Sequence, residues 1–147
     1  GNKIAAVLTL TMDVAKGFFV VFLIKEFLGI TASHFAALGV FFGHLFSIFL
    51  FFKGGKGVAT FIGIQLILNF YIALSVCVIW VIIAITTRYS SLSSIISSIF
   101  SIFILIYIND LSYFWLQMFL VSSIVLSHKK NIANLISGNE HKIKLNN

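Results

Sequence analysis

Val58–Thr86 reads VATFIGIQLILNFYIALSVCVIWVIIAIT, 29 residues without a charge. As one helix it would rise about 44 Å, against a hydrocarbon core of about 30 Å. Tilt absorbs part of the excess, and the flanking charges decide the rest. A single crossing would put Lys53 and Lys56 on the opposite side from Arg88 and the basic tail. If the run folds back near Asn69, the loops carrying Lys3, Lys53, Lys56 and Arg88 share one face with Lys129, Lys130, Lys142 and Lys144. Only Lys25, beside Glu26, then lies across, while Lys16 stays inside a span. Basic residues gather on the cytoplasmic side of membrane proteins, so the folded-back arrangement is expected, with Val58–Leu68 as a short helix of its own.

Other apolar runs lie on either side, at Ile4–Ile24, His34–Phe52, Leu92–Ile108 and Tyr113–Ser127. Together they predict an all-α integral membrane protein in a single domain over residues 1–147. It has six membrane or half-membrane segments and a short interfacial helix after His128. Ile132, Leu135 and Ile136 supply the apolar stripe of that last helix, which ends near Gly138. Composition agrees: 60% of the residues are apolar and 10% charged, where a soluble domain carries about 25% charge. Ten Lys/Arg stand against four Asp/Glu, a bias that fits anionic headgroups and cytoplasmic loops. No Arg/aromatic stripe suggests nucleic acid. Cys77 has no partner cysteine, and the scattered acids offer no metal site.

Within this frame a few polar residues stand out. Gly54, Gly55 and Gly57 let backbone amides turn towards a ligand, and a helix opens at Val58 with its positive end at the same place. Lys53 and Lys56 add full charges, so the loop suits a phosphate dianion. A Walker A loop is excluded, because Gly57 follows Lys56 where Ser or Thr should bind magnesium. His128 and Asn131 lie one turn apart and can aim an imidazole and an amide at one ligand. His44 is close enough to the loop in sequence to help position it. Asp13 and Lys16, at i,i+3 inside the first span, can neutralise each other. Serines 90, 94, 97, 98 and 101 line one helix face, which favours close helix packing.

Four stretches in order resemble the bacterial acyltransferases that move an acyl chain from acyl phosphate to glycerol 3-phosphate. They are residues 1–17 (from Gly1-Asn2-Lys3 through Asp13 to Lys16-Gly17), 43–60 (Gly43-His44 through Lys53-Gly54-Gly55-Lys56-Gly57 to Thr60), 87–92, and His128-x-x-Asn131-Ile132 through Gly138 to Glu140 and Lys142. The resemblance implies a seven-span fold, with the first span and first motif loop expected upstream of residue 1. It also implies lysophosphatidate as product, in phospholipid synthesis at the bacterial inner membrane, with the active site facing the cytoplasm. On the matching positions, Lys53, Gly54, Gly55, Lys56 and Gly57 become the acyl-phosphate loop. His128 and Asn131 become the catalytic pair, Glu140 a holder of the tail, and Lys3, His44 and Arg88 supporting residues. Ser47 and Val20 stand where the family usually has Pro, and Asn134 where it has Arg.

Acyl phosphate is a mixed anhydride with a good leaving group, so no metal or cofactor is expected. Two mutually repelling phosphorylated substrates must be brought together by positioned cations and N–H donors. The residues alone leave two alternatives. One is an anion or phosphate transporter, whose broken helices also face anions. The other is a non-catalytic membrane fragment of the enzyme.

Overall fold

The computed structural model describes residues 3–47 and 54–143. Among these it contains helices and their connections and no strand. The chain divides into two compact units, Gly1–Ala73 and Leu74–Asn147, which are described in turn.

The first unit holds α1 (Lys3–Leu28), α2 (Ile30–Leu45), α3 (Val58–Leu68) and the start of α4 (Phe70–Thr87). The expected first span, Ile4–Ile24, is longer than the sequence reading allowed, because the helix runs through Lys25 and Glu26. It stops at Gly29, whose φ of +85° is left-handed and favours glycine. Helix α2 opens at once, four residues ahead of the expected start at His34. The charged pair lies inside the helix, and that is why the sequence reading separated these helices too widely. Residues 48–52 of the expected second span lie outside the described residues.

At about 1.5 Å per residue, Lys16 stands ~20 Å before Gly29 along α1, and His44 ~22 Å after it along α2. The two side chains meet, so α1 and α2 form an antiparallel hairpin closed by one glycine. Helix α3 packs on α1 in the same direction. A Cβ on Gly17 would run into the carbonyl of Thr60 and the amide of Ile64, and one on Gly63 into the carbonyl of Val14 and the amide of Phe18. Two glycines thus bring the backbones closer than any larger residues permit. Further along, Lys25 Nζ donates to the carbonyl of Ile67 at 3.1 Å, satisfying one of the last-turn acceptors that α3 cannot satisfy itself.

Helix α3 ends where the sequence expects it. Asn69 is extended, and its side-chain Oδ1 accepts from the Ile72 amide at 3.3 Å as α4 begins. Leu8, Phe19, Phe27 and Phe35 are exposed on this unit and provide an apolar outer surface.

The second unit contains the rest of α4, then α5 (Ser90–Tyr107), a 3-10 turn (Leu111–Tyr113), α6 (Phe114–Ser127) and α7 (Lys129–Ile136). On the serine face of α5, Ser94, Ser97, Ser98 and Ser101 are buried, while Ser90 at its start is exposed. Trp80 Nε1 donates to Ser94 Oγ at 3.0 Å, and Gln117 Nε2 to Ser101 Oγ at 2.6 Å. Small hydroxyls therefore let neighbouring helices approach and supply the acceptors for their polar side chains. Helices α6 and α7 meet at a 56° bend at His128. Among the described residues, α1, α4 and α5 are long and apolar enough to cross a membrane, and the bent pair can make a fourth span. Helices α2 and α3 are shorter apolar helices.

Two outcomes follow. In a Cys77→Ser background, single cysteines at positions 3 and 69 should label from opposite faces of the membrane, and those at 26 and 69 from the same face. Labelling of 3 and 69 from one side would contradict the shared direction of α1 and α3. Gly63→Ala should lower stability by about 1–3 kcal/mol through overpacking, read as a fall in melting temperature in detergent.

Candidate active site

The glycine loop is seated on the end of α2. The Gly54 amide donates to the Leu45 carbonyl at 3.2 Å. A Cβ on Gly54 would strike the carbonyls of His44 and Leu45, one on Gly55 the His44 imidazole, and one on Gly57 the Phe41 ring. Gly57 also has φ +89° and caps α3 without a side-chain bond. The first helical bond of α3 runs from the Phe61 amide to the Gly57 carbonyl at 2.8 Å, so the amides of residues 58–60 precede the hydrogen-bond ladder. The glycines thus serve packing as well as any approach of a ligand. Lys53 lies outside the described residues, and Lys56 is exposed.

A cavity of about 350 Å³ opens beside the loop, lined by Gly54, Gly55, His44, Asp13 and Lys16 among others. Lys16 Nζ donates to Asp13 Oδ1 at 2.6 Å and meets His44 Nδ1 at 2.5 Å. His44 Nδ1 is also 3.4 Å from Asp13 Oδ1. The sequence pointed to the Asp13–Lys16 pair but not to its union with His44. Lys3, at the far end of α1, is exposed, ~20 Å along the helix from Lys16.

In the second unit His128 is buried at the α6–α7 bend. Its Nδ1 lies 2.8 Å from the Ile124 carbonyl. A carbonyl can only accept, so Nδ1 carries the proton there, and the neutral ring keeps its lone pair on Nε2. Asn131 Nδ2 donates to Glu140 Oε1 at 2.7 Å, and Ser91 Oγ donates to the same oxygen at 2.5 Å. One carboxylate therefore ties the tail to α7 and to the start of α5. The sequence reading did not single out Ser91 for this contact, although it lies inside the 87–92 motif.

Arg88 is engaged with the tail. It ends α4 at φ +64°, its carbonyl accepts from the Ile143 amide at 2.7 Å, and its Nε and Nη2 donate to the Ile143 carbonyl at 3.3 and 3.1 Å. Lys142 Nζ sits 5.5 Å from the centre of the Tyr89 ring. The tail is thus clamped on the α4–α5 connection by both its backbone and its side chains.

Residues 1–138 match the family model described as "Glycerol-3-phosphate acyltransferase". The chain belongs to the glycerol-3-phosphate acyltransferase family. It is 41% identical over 148 residues to the glycerol-3-phosphate acyltransferase of Laribacter hongkongensis, covering 97% of this chain and 74% of that protein. It is 44% identical over 152 residues to that of Janthinobacterium sp. (strain Marseille), with the same two coverages. The crystal structure of PlsY, an integral membrane glycerol 3-phosphate acyltransferase, in its glycerol 3-phosphate form, superposes with a TM-score of 0.92 at 30% identity. That match covers 97% of this chain and 72% of the other. The lysophosphatidic acid form gives 0.91 at 30% identity, covering 97% and 74%. Membership in the acyltransferase family favours acyl transfer over the transporter that the residues alone had left open. It also makes this chain a multi-pass membrane protein.

Where the tail meets α5 and α7, Glu140→Ala should remove two hydrogen bonds to a charged acceptor, each worth about 1.5–3 kcal/mol. Glu140→Gln keeps an acceptor oxygen and should lose less. Melting temperatures of both variants in detergent check the order; equal loss would count against the double acceptor role.

Proposed function

We propose that the 53–57 loop holds the phosphate of acyl phosphate while His128 and Asn131 orient glycerol 3-phosphate for acyl transfer. The observation that carries the donor side is the loop itself: three glycines pressed on the end of α2 beside a polar cavity, at the opening of a helix with uncapped amides.

In the reaction, the primary hydroxyl of glycerol 3-phosphate attacks the acyl carbon. The bond from that carbon to the phosphate oxygen breaks, lysophosphatidate forms and inorganic phosphate leaves. Loop amides and Lys56 stabilise the charge on the phosphoryl group, with Lys53 contributing by its place in the motif. His128 Nε2 carries a lone pair and can accept the hydroxyl hydrogen, and a substrate phosphate can take the same proton. No metal or covalent intermediate is required. Glu140 and Ser91 hold Asn131 in its orientation. The acyl chain lies among the spans.

The site faces the cytoplasm of a bacterial inner membrane in this reading. The distribution of Lys3, Lys53, Lys56, Arg88 and the basic tail supports that orientation.

Steady-state kinetics with each substrate varied separately test the assignment. Lys56→Ala should raise KM for acyl phosphate, with a smaller effect on glycerol 3-phosphate. His128→Ala should lower kcat/KM with either substrate varied, because both share its transition state. The expected loss is about 10²-fold or more for a positioned acid–base group. Near-wild-type constants for both variants at equal membrane abundance would refute the assignment.

A further inference from the structure

We propose that Lys16, itself held by Asp13, fixes His44 as the Nε2–H tautomer, so that this N–H serves as a further donor to the phosphoryl group at the glycine loop. The proposal rests on the reading that the loop holds that phosphate. His44 is then a binding residue, and Lys16 and Asp13 are positioning residues.

The tautomer follows from what each partner can do. An ammonium has three donors and no acceptor. Lys16 Nζ is 2.5 Å from His44 Nδ1, so Nδ1 must accept. A neutral imidazole accepting at Nδ1 carries its proton on Nε2. Asp13, 2.6 Å from the same ammonium, balances its charge and keeps it in place.

The free end of the ring faces the loop. Nε2 and Cε1 are the atoms that a Cβ on Gly55 would strike, and both His44 and Gly55 line the cavity. The His44 side chain is 9% exposed. Its hydrogen-bond contacts among the described residues all run through Nδ1, leaving Nε2–H without a protein acceptor there. That N–H opens on the cavity, where an anion would accept from it in a charge-assisted hydrogen bond. Alanine at position 55 would fill the space between ring and loop, so Gly55 is also what allows the donor to come this close.

The test uses the full chain in nanodiscs, with ¹⁵N-labelled histidine and amide-labelled backbone. His44→Gln assigns the His44 ring signals by difference. The wild type should show a protonated Nε2 and a bare Nδ1. Lys16→Met should mix the tautomers, and Lys16→Arg, also a pure donor, should restore the single one. Inorganic phosphate, the leaving group, should shift the Nε2–H signal together with the loop amides. In kinetics, Lys16→Met and His44→Gln should raise KM for acyl phosphate more than they lower kcat, by about tenfold for Lys16→Met, the loss of one hydrogen bond to a charged group.

An Nδ1–H ring or an imidazolium in the wild type would overturn the proposal, whether or not any variant folds. So would a phosphate titration that moves the loop amides and leaves Nε2–H still, and in that outcome the loop reading stands. If phosphate moves neither, the loop reading fails and the proposal fails with it.

Discussion

Gly17 and Gly63 allow α3 to lie against α1 with main chain touching main chain, and the placement of the first unit depends on that contact. Once α3 is pinned there, its first residue is fixed in depth along α1. Gly57 and the loop before it are then held against Phe41, His44 and Leu45 at the end of α2. The Gly29 turn sets how far back along α1 that end can reach. A loop rich in glycine would ordinarily sample many conformations at a cost in entropy. Here neighbouring main chain and rings restrict it.

The same geometry places ionised groups well inside a bilayer-sized helix. Asp13 and Lys16 stand near the middle of α1, ~20 Å from the Gly29 turn and short of the ~30 Å thickness of a hydrocarbon core. Charges at that depth persist only when paired and hydrogen-bonded. Asp13 takes up the ammonium, and His44 takes its remaining reach. Two histidines, one in each unit, are set in opposite senses. The ammonium beside His44 leaves it a donor at Nε2, whereas the carbonyl beside His128 leaves it an acceptor at Nε2.

Much of this was legible in the sequence. The break at Asn69 followed from the length of one apolar run and the sorting of basic residues, and the four motifs carried the family. The Asp13–Lys16 pair was readable because i,i+3 is a local relation. Its junction with His44 was not, since 28 positions separate the two side chains and only a one-residue turn at Gly29 matches their distances from the bend. The turn was hidden because Lys25 and Glu26 look like the end of a helix, while their side chains have other work: Lys25 reaches the last turn of α3. The setting of Arg88 was hidden for a related reason: the carbonyl that it donates to belongs to a residue more than fifty positions later.

That late partner bears on the order in which the protein can be built. Helices α1 to α3 make their mutual contacts as soon as residue 68 has been inserted. The clasp of Ile143 on Arg88, and of Glu140 on Ser91 and Asn131, waits for the ribosome to deliver the tail. Domains form largely in the order of their synthesis. The glycine loop is therefore shaped earlier in insertion than the His128–Asn131 region. A nascent chain passes through a stage with its glycine loop seated on α2 and its tail contacts still unmade, and the last stitch comes from the far end of the message.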